Sequence, residues 1–470
     1  MNLKEKASDG VLPEDNQQTL SVDALLNRFG SFGVHLGLER IHRLLANLGN
    51  PHQQVPILHV AGSNGKGSVC AYLSAVLAEA GYRVGRYTSP HLVNWTERIC
   101  LNEQPIAPEA FAQVLLQVEA AIAPDQPSPT QFEVITAAMW LYFAQQQVDI
   151  AVVEVGLGGR LDATNVCDRP LVSVITSISR EHWQRLGPTL ADIAGEKAGI
   201  LKPNCPAVVG PLPPEAQAVV AKRIAELNCP AVWPQPAKEI QPGWAEFSSI
   251  PNLFQSKSKI QNPKSKIEYS LPLPGAVQLS NSALAIATLQ ILQQQGWEIS
   301  DEAITTGIAK TQWPGRLQWL TWQGHRLLVD GAHNPAGAEA LRQYVDRHGD
   351  QPGQVYGDRS IVWVVGMIGT KDHGDVFKEL LRPNDQLHLV PVPDHEPVDL
   401  GHLADLAQQI CPQLVACETY ADLELGLQAA IQNAKGVGDQ PTPGALAVLA
   451  GSLYLLGDFF KRFQKDLGVA

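Results

Sequence analysis

The sequence predicts an α/β protein in two parts, a larger nucleotide-binding unit followed by a smaller Rossmann-like one. Three observations carry that expectation. Short β-branched apolar runs alternate with stretches of helical periodicity along nearly the whole chain. The polar motifs sit at the C-terminal ends of those runs, and one such end is a glycine-rich turn leading straight into a helix. Open sheets of this kind gather ligands along their strand C-termini, so the motifs are expected along one edge.

At 470 residues the chain is too long for a single core. Hydrophobic residues at 45% and charged ones at 17% are the proportions of a soluble globular protein. A net charge of −12 argues against a general nucleic-acid surface and makes the binding of any anion depend on local cations. There is no basic-then-apolar signal pattern and no unbroken apolar span of about 18 residues, so no membrane partner is expected. The seven cysteines include no C-x-x-C pair, which speaks against a zinc knuckle or a disulfide framework. A reducing cytoplasm is the simplest compartment, and with no unexplained long apolar stripe the default is a monomer.

In chain order, residues 1–18 are polar and uneven, the pattern of a loose tail. Leu20 to Phe29 and the stretch from Leu36 to Leu45 have helical spacing. Val55 to Val60 reads as a buried strand and Ser68 to Ala80 as a helix. Between them lies Gly62-Ser-Asn-Gly-Lys-Gly-Ser68. Its glycines let backbone N–H groups converge on an anion, and the helix N-terminus adds partial positive charge. Asn64, Gly65, Lys66, Gly67 and Ser68 are therefore candidate phosphate contacts, with Lys66 reaching a terminal phosphate and Ser68 offering a hydroxyl to phosphate or Mg²⁺. The spacing departs from G-x-x-x-x-G-K-[ST], since Val60 and Gly67 occupy two of its fixed positions, so an ordinary strand-to-helix turn competes with this reading.

A strand follows within Tyr82 to His91, ending in Thr88-Ser89-Pro90-His91. Residues 108–122 and 132–147 are helical in spacing. Val148 to Val155 is a strand whose end carries Glu154, and Gly156-Leu-Gly-Gly-Arg-Leu-Asp-Ala-Thr-Asn165 comes next. Pro170 to Ile178 is another buried strand, followed by Glu181-His182 and a helix to about Leu201. Residues 205–275 are less regular and rich in proline. There Lys257-Ser-Lys-Ile260 recurs as Lys264-Ser-Lys-Ile267, read as a solvated insertion over about 250–268, with a basic docking loop as the sharper alternative. Asn281 to Gln294 is an amphipathic helix, and Trp313-Pro-Gly-Arg-Leu-Gln318 marks the interdomain connection. Strands at Arg326–Val329, Ile361–Val365, Gln386–Val390 and Ala445–Leu449 then build the second sheet. That part has no phosphate loop, so Asp330-Gly-Ala-His-Asn-Pro335 at a strand end needs another task.

Eight of these segments, spread from Leu36 to Gly457, resemble the folylpolyglutamate synthase/dihydrofolate synthase family of the Mur-ligase superfamily. They are Leu36-Gly-Leu-Glu-Arg-Ile, Gly62-Ser-Asn-Gly-Lys-Gly-Ser, Thr88-Ser-Pro-His-Leu, Glu154-Val-Gly-Leu-Gly-Gly-Arg-Leu-Asp-Ala-Thr-Asn, Glu196-Lys-Ala-Gly-Ile, Pro314-Gly-Arg-Leu-Gln, Asp330-Gly-Ala-His-Asn-Pro and Gly451-Ser-Leu-Tyr. The resemblance implies a P-loop-containing, Mur-ligase-like domain over 19–313 and a Rossmann-like glutamate-ligase domain over 314–470. It implies a reaction too: ATP phosphorylates a folate carboxylate to an acyl phosphate, and the amine of L-glutamate displaces phosphate to form an amide. Bringing a carboxylate to a γ-phosphate crowds negative charges together, so catalysis is mostly positioning and charge neutralisation.

The resemblance assigns Mg²⁺ (two ions) to Ser89, Glu154 and His182, although Glu154 alone also fits a surface carboxylate and His182 a hydrogen-bonded loop histidine. The family has Asp-His where this chain has Glu181-His182. Lys197, which would otherwise read as an exposed face with Glu196, is implied to be carbamylated, and that needs a neutral amine. Together with Lys66, His182 and His333 it makes up the implied catalytic set. The folate site falls on Gly37, Leu38, Glu39 and Arg40, on Thr130, Phe132 and Glu133, and on Leu161, Asp162 and Ala163. Phe132 would stack on a pterin or else belong to the core, and Gln131 stands where the family commonly has an aromatic. Asn281, Arg316 and Asp330 would hold ATP across the cleft, while His333 and Asn334 close on phosphate or on incoming glutamate, and Gly451-Ser452 lies near the glutamate end. Turn chemistry is the competing account of these last motifs. Two other functions fit less of the chain: a Mur-type ligase acting on a cell-wall nucleotide precursor, and a nucleotide-controlled switch that forms no bond.

Overall fold

The computed structural model describes residues 21–29, 37–125, 127–254, 266–347, 361–369, 371–434 and 445–469. The expected tail at 1–18, Leu36 and most of the lysine repeat lie outside the described residues.

The chain enters through α1 (Val22–Leu26) and α2 (Glu39–Asn47). The first sheet is built from β1 (Ile57–Ala61), β2 (Val84–Tyr87), β3 (Ile99–Leu101), β4 (Gln104–Pro105), β5 (Ile150–Glu154), β6 (Val172–Ile175), β7 (Ala207–Val209) and β8 (Ala231–Val232). Their order is β4-β3-β2-β5-β1-β6-β7-β8, parallel from β2 to β8 with an antiparallel edge at β3 and β4. Successive residues of a strand face opposite ways, so each strand feeds two cores. Ile150 and Val152 pack with α3 (Lys66–Glu79), α9 (Val277–Gln294) and α10 (Asp301–Lys310). Ala151 and Val153 pack with α1, α2, α4 (Pro108–Ala120) and α5 (Gln131–Gln145).

Three expectations need correction here. The helix drawn from His182 to Leu201 is two, α6 (Trp183–Leu186) and α7 (Leu190–Ala198), because Gly187 takes φ +110° and Pro188 cannot continue a helix. The stretch read as irregular holds β7, α8 (Pro214–Glu226) and a three-stranded antiparallel sheet of β9 (Lys238–Gln241), β10 (Trp244–Ser248) and β11 (Lys266–Ser270). The supposed insertion is accordingly not solvated at its ends. Ile250 and Leu253 pack on the core and donate their N–H groups to Gln290 and Gln294, while Ile267 is buried within β11.

Thr311 to Leu317 carries the chain from α10 to the second sheet. That sheet contains β12 (Gln318–Trp322), β13 (His325–Val329), β14 (Ile361–Val365), β15 (Gln386–Leu389), β16 (Ala416–Thr419), β17 (Leu446–Ala450) and β18 (Leu467–Val469), ordered β16-β15-β14-β17-β13-β12-β18. It is mixed rather than purely Rossmann-like, since β12 runs antiparallel to both β13 and β18. One face packs α11 (Pro335–Arg347), α12 (His373–Leu380) and α13 (Leu400–Ile410); the other packs α14 (Leu423–Ala434) and α15 (Leu453–Phe463). Among the described residues no helix is long and apolar enough to cross a membrane.

Candidate active site

The glycine-rich loop joins β1 to α3 and is braced from the end of β6. Ser177 O accepts from Ser63 N at 2.7 Å, Thr176 Oγ1 donates to Asn64 O at 2.6 Å, and Ser179 N donates to Ser63 Oγ at 3.0 Å. Gly65 has φ +85°, and a Cβ there would lie 2.4 Å from Asn281 Oδ1, so the turn admits only glycine without strain. Lys66 Nζ folds back to donate to Gly62 O at 2.9 Å and Ser63 O at 3.2 Å. Ser68 is buried and its hydroxyl accepts from Gln278 of α9 at 3.4 Å, while Asn281 donates to the same Gln278 at 3.0 Å. Ser68, an expected ATP contact, thus also ties the start of α3 to α9, and Asn281, itself on α9, holds the bridging Gln278.

Parallel pairing brings Ser89, Glu154 and the residues after β6 to one edge. Ser89 N donates to Glu154 Oε2 at 3.2 Å. Glu154 is 5% exposed, and burial raises its pKa against the opposing pull of Lys66, Arg316 and Arg86. His182 takes φ +45° just before α6, and burial together with Lys371 lowers its pKa to about 4. A neutral imidazole keeps a lone pair for a metal. Among the described residues no three His, Cys, Asp or Glu side chains form a metal cluster. The Ser89 hydroxyl and the Glu154 carboxylate are the hard oxygen donors that Mg²⁺ takes alongside waters and substrate phosphates, and the His182 nitrogen is the less expected member of the set.

Beside it, the 2% exposed Lys197 donates from Nζ to Gly62 O at 2.9 Å and to Glu181 Oε1 at 2.8 Å. Burial would raise the Glu181 carboxyl, but Lys197, Lys66 and His182 outweigh it and hold the pKa at about 2. Burial also pulls the Lys197 ammonium below its usual range, against the attraction of Glu181. The departure from the family's aspartate therefore has a definite geometry: the longer side chain reaches the lysine directly.

From the second sheet, Asp330 closes β13 and accepts from Leu317 N and Ala332 N, both at 2.8 Å. Arg316 packs over Gly331, where a Cβ would lie 2.2 Å from Nη1. His333 Nδ1 donates to Gly331 O at 2.8 Å, and burial with Lys371 nearby lowers its pKa to about 3. Asn334 accepts from Gly337 N at 2.8 Å and donates to Asn64 Oδ1 of the phosphate loop at 3.0 Å. The two sheets thus meet at the loop. Ser452 is buried and caps α15 by accepting from Tyr454 N.

The expected folate residues lie at the starts of α2 and α5 and in the loop after β5, and several already have structural partners. Gly37 and Leu38 lead into α2, which Glu39 begins. Arg40 Nε donates to Glu133 Oε2 at 3.0 Å, and Glu133 also accepts from Thr130 N and Oγ1 in a capping box. Phe132 covers Gly156 and sits 6.3 Å from the Tyr87 ring. Gln131 donates to Leu26 O, which ties α5 to α1. In the loop of Leu161, Asp162 and Ala163, buried Asp162 accepts from Leu157 N at 2.8 Å and Thr164 Oγ1 at 2.6 Å, and His59 Nε2 meets that hydroxyl at 2.9 Å.

Sequence reasoning missed Lys371, in the loop after β14. Burial lowers its pKa, and it lies within electrostatic reach of Glu181 and Lys66. A single lysine in a loop carries no spacing signal; a polar group just past a five-residue apolar strand was the available hint.

Two family models match the chain: Mur ligase middle domain over residues 60–289 and Dihydrofolate synthetase, C-terminal domain, over residues 316–462. The chain is 33% identical to the dihydrofolate synthase/folylpolyglutamate synthase of Bacillus subtilis over 444 residues, 92% of this chain and 96% of that one. Among solved structures it resembles Mycobacterium tuberculosis folylpolyglutamate synthase complexed with ADP, with a TM-score of 0.81 and 29% identity, covering 95% of this chain and 98% of that one. Escherichia coli FolC in complex with DHPP and ADP matches with a TM-score of 0.75 and 28% identity, covering 94% and 96%.

Proposed function

Since the chain belongs to the dihydrofolate synthase/folylpolyglutamate synthase family of Mur ligases, we propose the following division of labour for its ATP-dependent attachment of L-glutamate to a folate-type acceptor. The observation that supports it most is the junction at Asn64, where the phosphate loop, the residues that follow β6 and the Asp330–Asn334 turn of the second sheet converge. Asn64 to Ser68 cradle the ATP phosphates, Lys66 leaves its carbonyl partners for the transferred group, and Arg316 faces the phosphates with Asn281 and Asp330 bordering the nucleotide. Each Asp330 oxygen accepts one backbone N–H and retains a lone pair for a ribose hydroxyl.

Ser89, Glu154 and His182 would hold Mg²⁺, which supplies positive charge where the carboxylate approaches the γ-phosphate. His333 is neutral and keeps its Nδ1 proton on Gly331 O, so its bare Nε2 can only accept, which suits an N–H of the incoming glutamate amine. Gly37 to Arg40, Phe132 and the Leu161–Ala163 loop line the acceptor side. A lowered Lys197 pKa favours the neutral amine that carbamylation needs, so carbamylated Lys197 and a second Mg²⁺ belong to this reading; intact-mass measurement in bicarbonate checks for one added CO₂. The reading takes 19–313 and 314–470 as the two domains. It also takes a cytoplasmic monomer, and seven free thiols fit a reducing compartment.

Mass spectrometry of the products tests it. Purified protein is given Mg-ATP and L-glutamate with either dihydropteroate or tetrahydrofolate. A glutamyl increment on both acceptors makes the enzyme bifunctional, and on one alone it identifies the single activity. No increment on either, with ATP still bound, overturns the folate assignment.

A further inference from the structure

Arg98 is a charged side chain that the reaction as described leaves unused. It ends the short 3-10 turn Trp95–Arg98, on the loop that leaves the Ser89-Pro90 bend, and is 8% exposed. Its Nε donates to His91 Nδ1 at 2.9 Å, and its guanidinium carbon lies 4.4 Å from the centre of the Trp95 ring. Those two rings pack on each other with 4.4 Å between centroids. Neighbouring Glu97 is no partner, because its carboxylate accepts the N–H groups of Leu92, Val93 and Asn94 at 2.7, 2.9 and 2.6 Å. Arg98 is therefore clamped along one edge and one face. Among the described residues its Nη1 and Nη2 have no hydrogen-bond or ion-pair partner, and neither is fully sealed from solvent.

A planar guanidinium with a free terminal edge is a fork for a carboxylate. Its surroundings locate that fork. Arg98 lies within electrostatic reach of Tyr87, Glu154 and Glu97, and of Tyr454 on α15 of the second unit. Arg98 immediately precedes β3 and its carbonyl accepts from Thr88 N at the end of β2, so β2 and β5 stand between it and β1 with its phosphate loop. Arg98 thus sits on the side of Glu154 away from the phosphate loop, beside the Tyr87–Phe132 wall. A carboxylate bound there is displaced from the phosphoryl group, so it is not the one being phosphorylated. Glutamyl groups bring such a second carboxylate, whether as the end of a folyl acceptor or as the free amino acid.

We propose that Arg98 binds the α-carboxylate of a glutamyl group in the cleft, and so positions a substrate through the carboxylate that does not react. The proposal rests on the ligase reading above. It is tested with Arg98→Gln, which removes the charge, and Arg98→Lys, which keeps the charge and loses the fork. KM is measured separately for tetrahydrofolate, dihydropteroate, L-glutamate and ATP, and thermal melting reports folding. If the acceptor end is held, Arg98→Gln raises KM for tetrahydrofolate roughly 10- to 100-fold, Arg98→Lys raises it less, and dihydropteroate and ATP are spared. If the incoming amino acid is held, KM for L-glutamate rises by a similar factor with every acceptor used. Unchanged KM values in both variants, or a fall in kcat alone, overturn the proposal. Should Arg98→Gln fail to fold, Arg98→Lys decides by the same comparison. A wild-type protein that adds no glutamate at all overturns the ligase reading and this site with it; an active wild type with indifferent variants overturns only the site.

Discussion

Glu181 and Lys197 form a buried pair beneath the phosphate loop, and its worth is measurable residue by residue. In the uncarbamylated protein, removing the carboxylate in Glu181→Gln leaves the Lys197 ammonium buried without its counter-charge, which is expected to cost about 3–5 kcal/mol in denaturant unfolding. Glu181→Gln/Lys197→Met should recover most of that loss, because the orphaned charge goes too. The folded Glu181 carboxyl is held below its unfolded value, so its stabilisation is complete above the ordinary carboxylate range and disappears as pH falls toward about 2. Wild type and Glu181→Gln should therefore converge in stability on acidification. Glu154 has the opposite sign. Burial raises its pKa, so ionising it costs stability as pH rises through and beyond the usual carboxylate range. Glu154→Gln should melt no lower than wild type, with an advantage that grows from acid to neutral pH, while kcat falls roughly 100-fold or more and the Mg²⁺ requirement rises. Opposed effects on melting and turnover are what a group kept for chemistry predicts.

At the scale of elements, the phosphate loop tolerates little. Gly65→Ala must hold a side chain at φ +85° against Asn281, at a cost of roughly 1–3 kcal/mol, and calorimetry should show nucleotide affinity falling with it. How much of the architecture the sequence revealed depends on the element. β1, β5, β14 and β17 are buried on both faces, so their apolar runs could be read directly. β9 is exposed along its length and β16 is exposed or half-buried, so neither carries such a run and both went unseen. The site divides the same way. Lys66, Glu154 and Asp330 announce themselves at strand ends, whereas Lys371 acquires its place only when the loop after β14 is folded against Glu181. Thr130, Glu133 and Asp162 were legible as motif members, and the Thr130–Glu133 capping box follows S/T-x-x-E spacing, whereas the Arg40–Glu133 and His59–Thr164 contacts join residues 93 and 105 positions apart, which spacing does not encode.

Among the described residues few direct polar bonds hold the two halves together, the Arg180–Asp375 ion pair at 3.6 Å being one of them. Asn334 reaches Asn64, and the Trp183 indole donates to Asp372 at 2.9 and 3.1 Å. Close packing helps: Leu92 packs on the core of the second unit, and Gly457 comes so near it that a Cβ would sit 2.0 Å from the Leu92 carbonyl oxygen. A hydrogen bond to a carboxylate contributes roughly 1.5–3 kcal/mol, enough to move a domain equilibrium. Asp372→Ala is accordingly expected to enlarge the radius of gyration in solution scattering and to raise KM for ATP several-fold, with Mg-ATP restoring part of the compaction.

Trp313 gives the linker an optical meaning. Its indole lies against the first turn of α3, where a Cβ on Gly67 would come within 2.6 Å of the ring, and the Arg86 guanidinium stacks over it at 5.1 Å. Any rearrangement of the phosphate loop on taking up nucleotide changes the polarity and quenching around that ring. Of the chain's ten tryptophans, this one is a built-in fluorescent gauge of loop occupancy. The emission change on adding Mg-ATP should therefore shrink sharply in Trp313→Phe, which would let binding be timed in a stopped-flow instrument without attaching a dye.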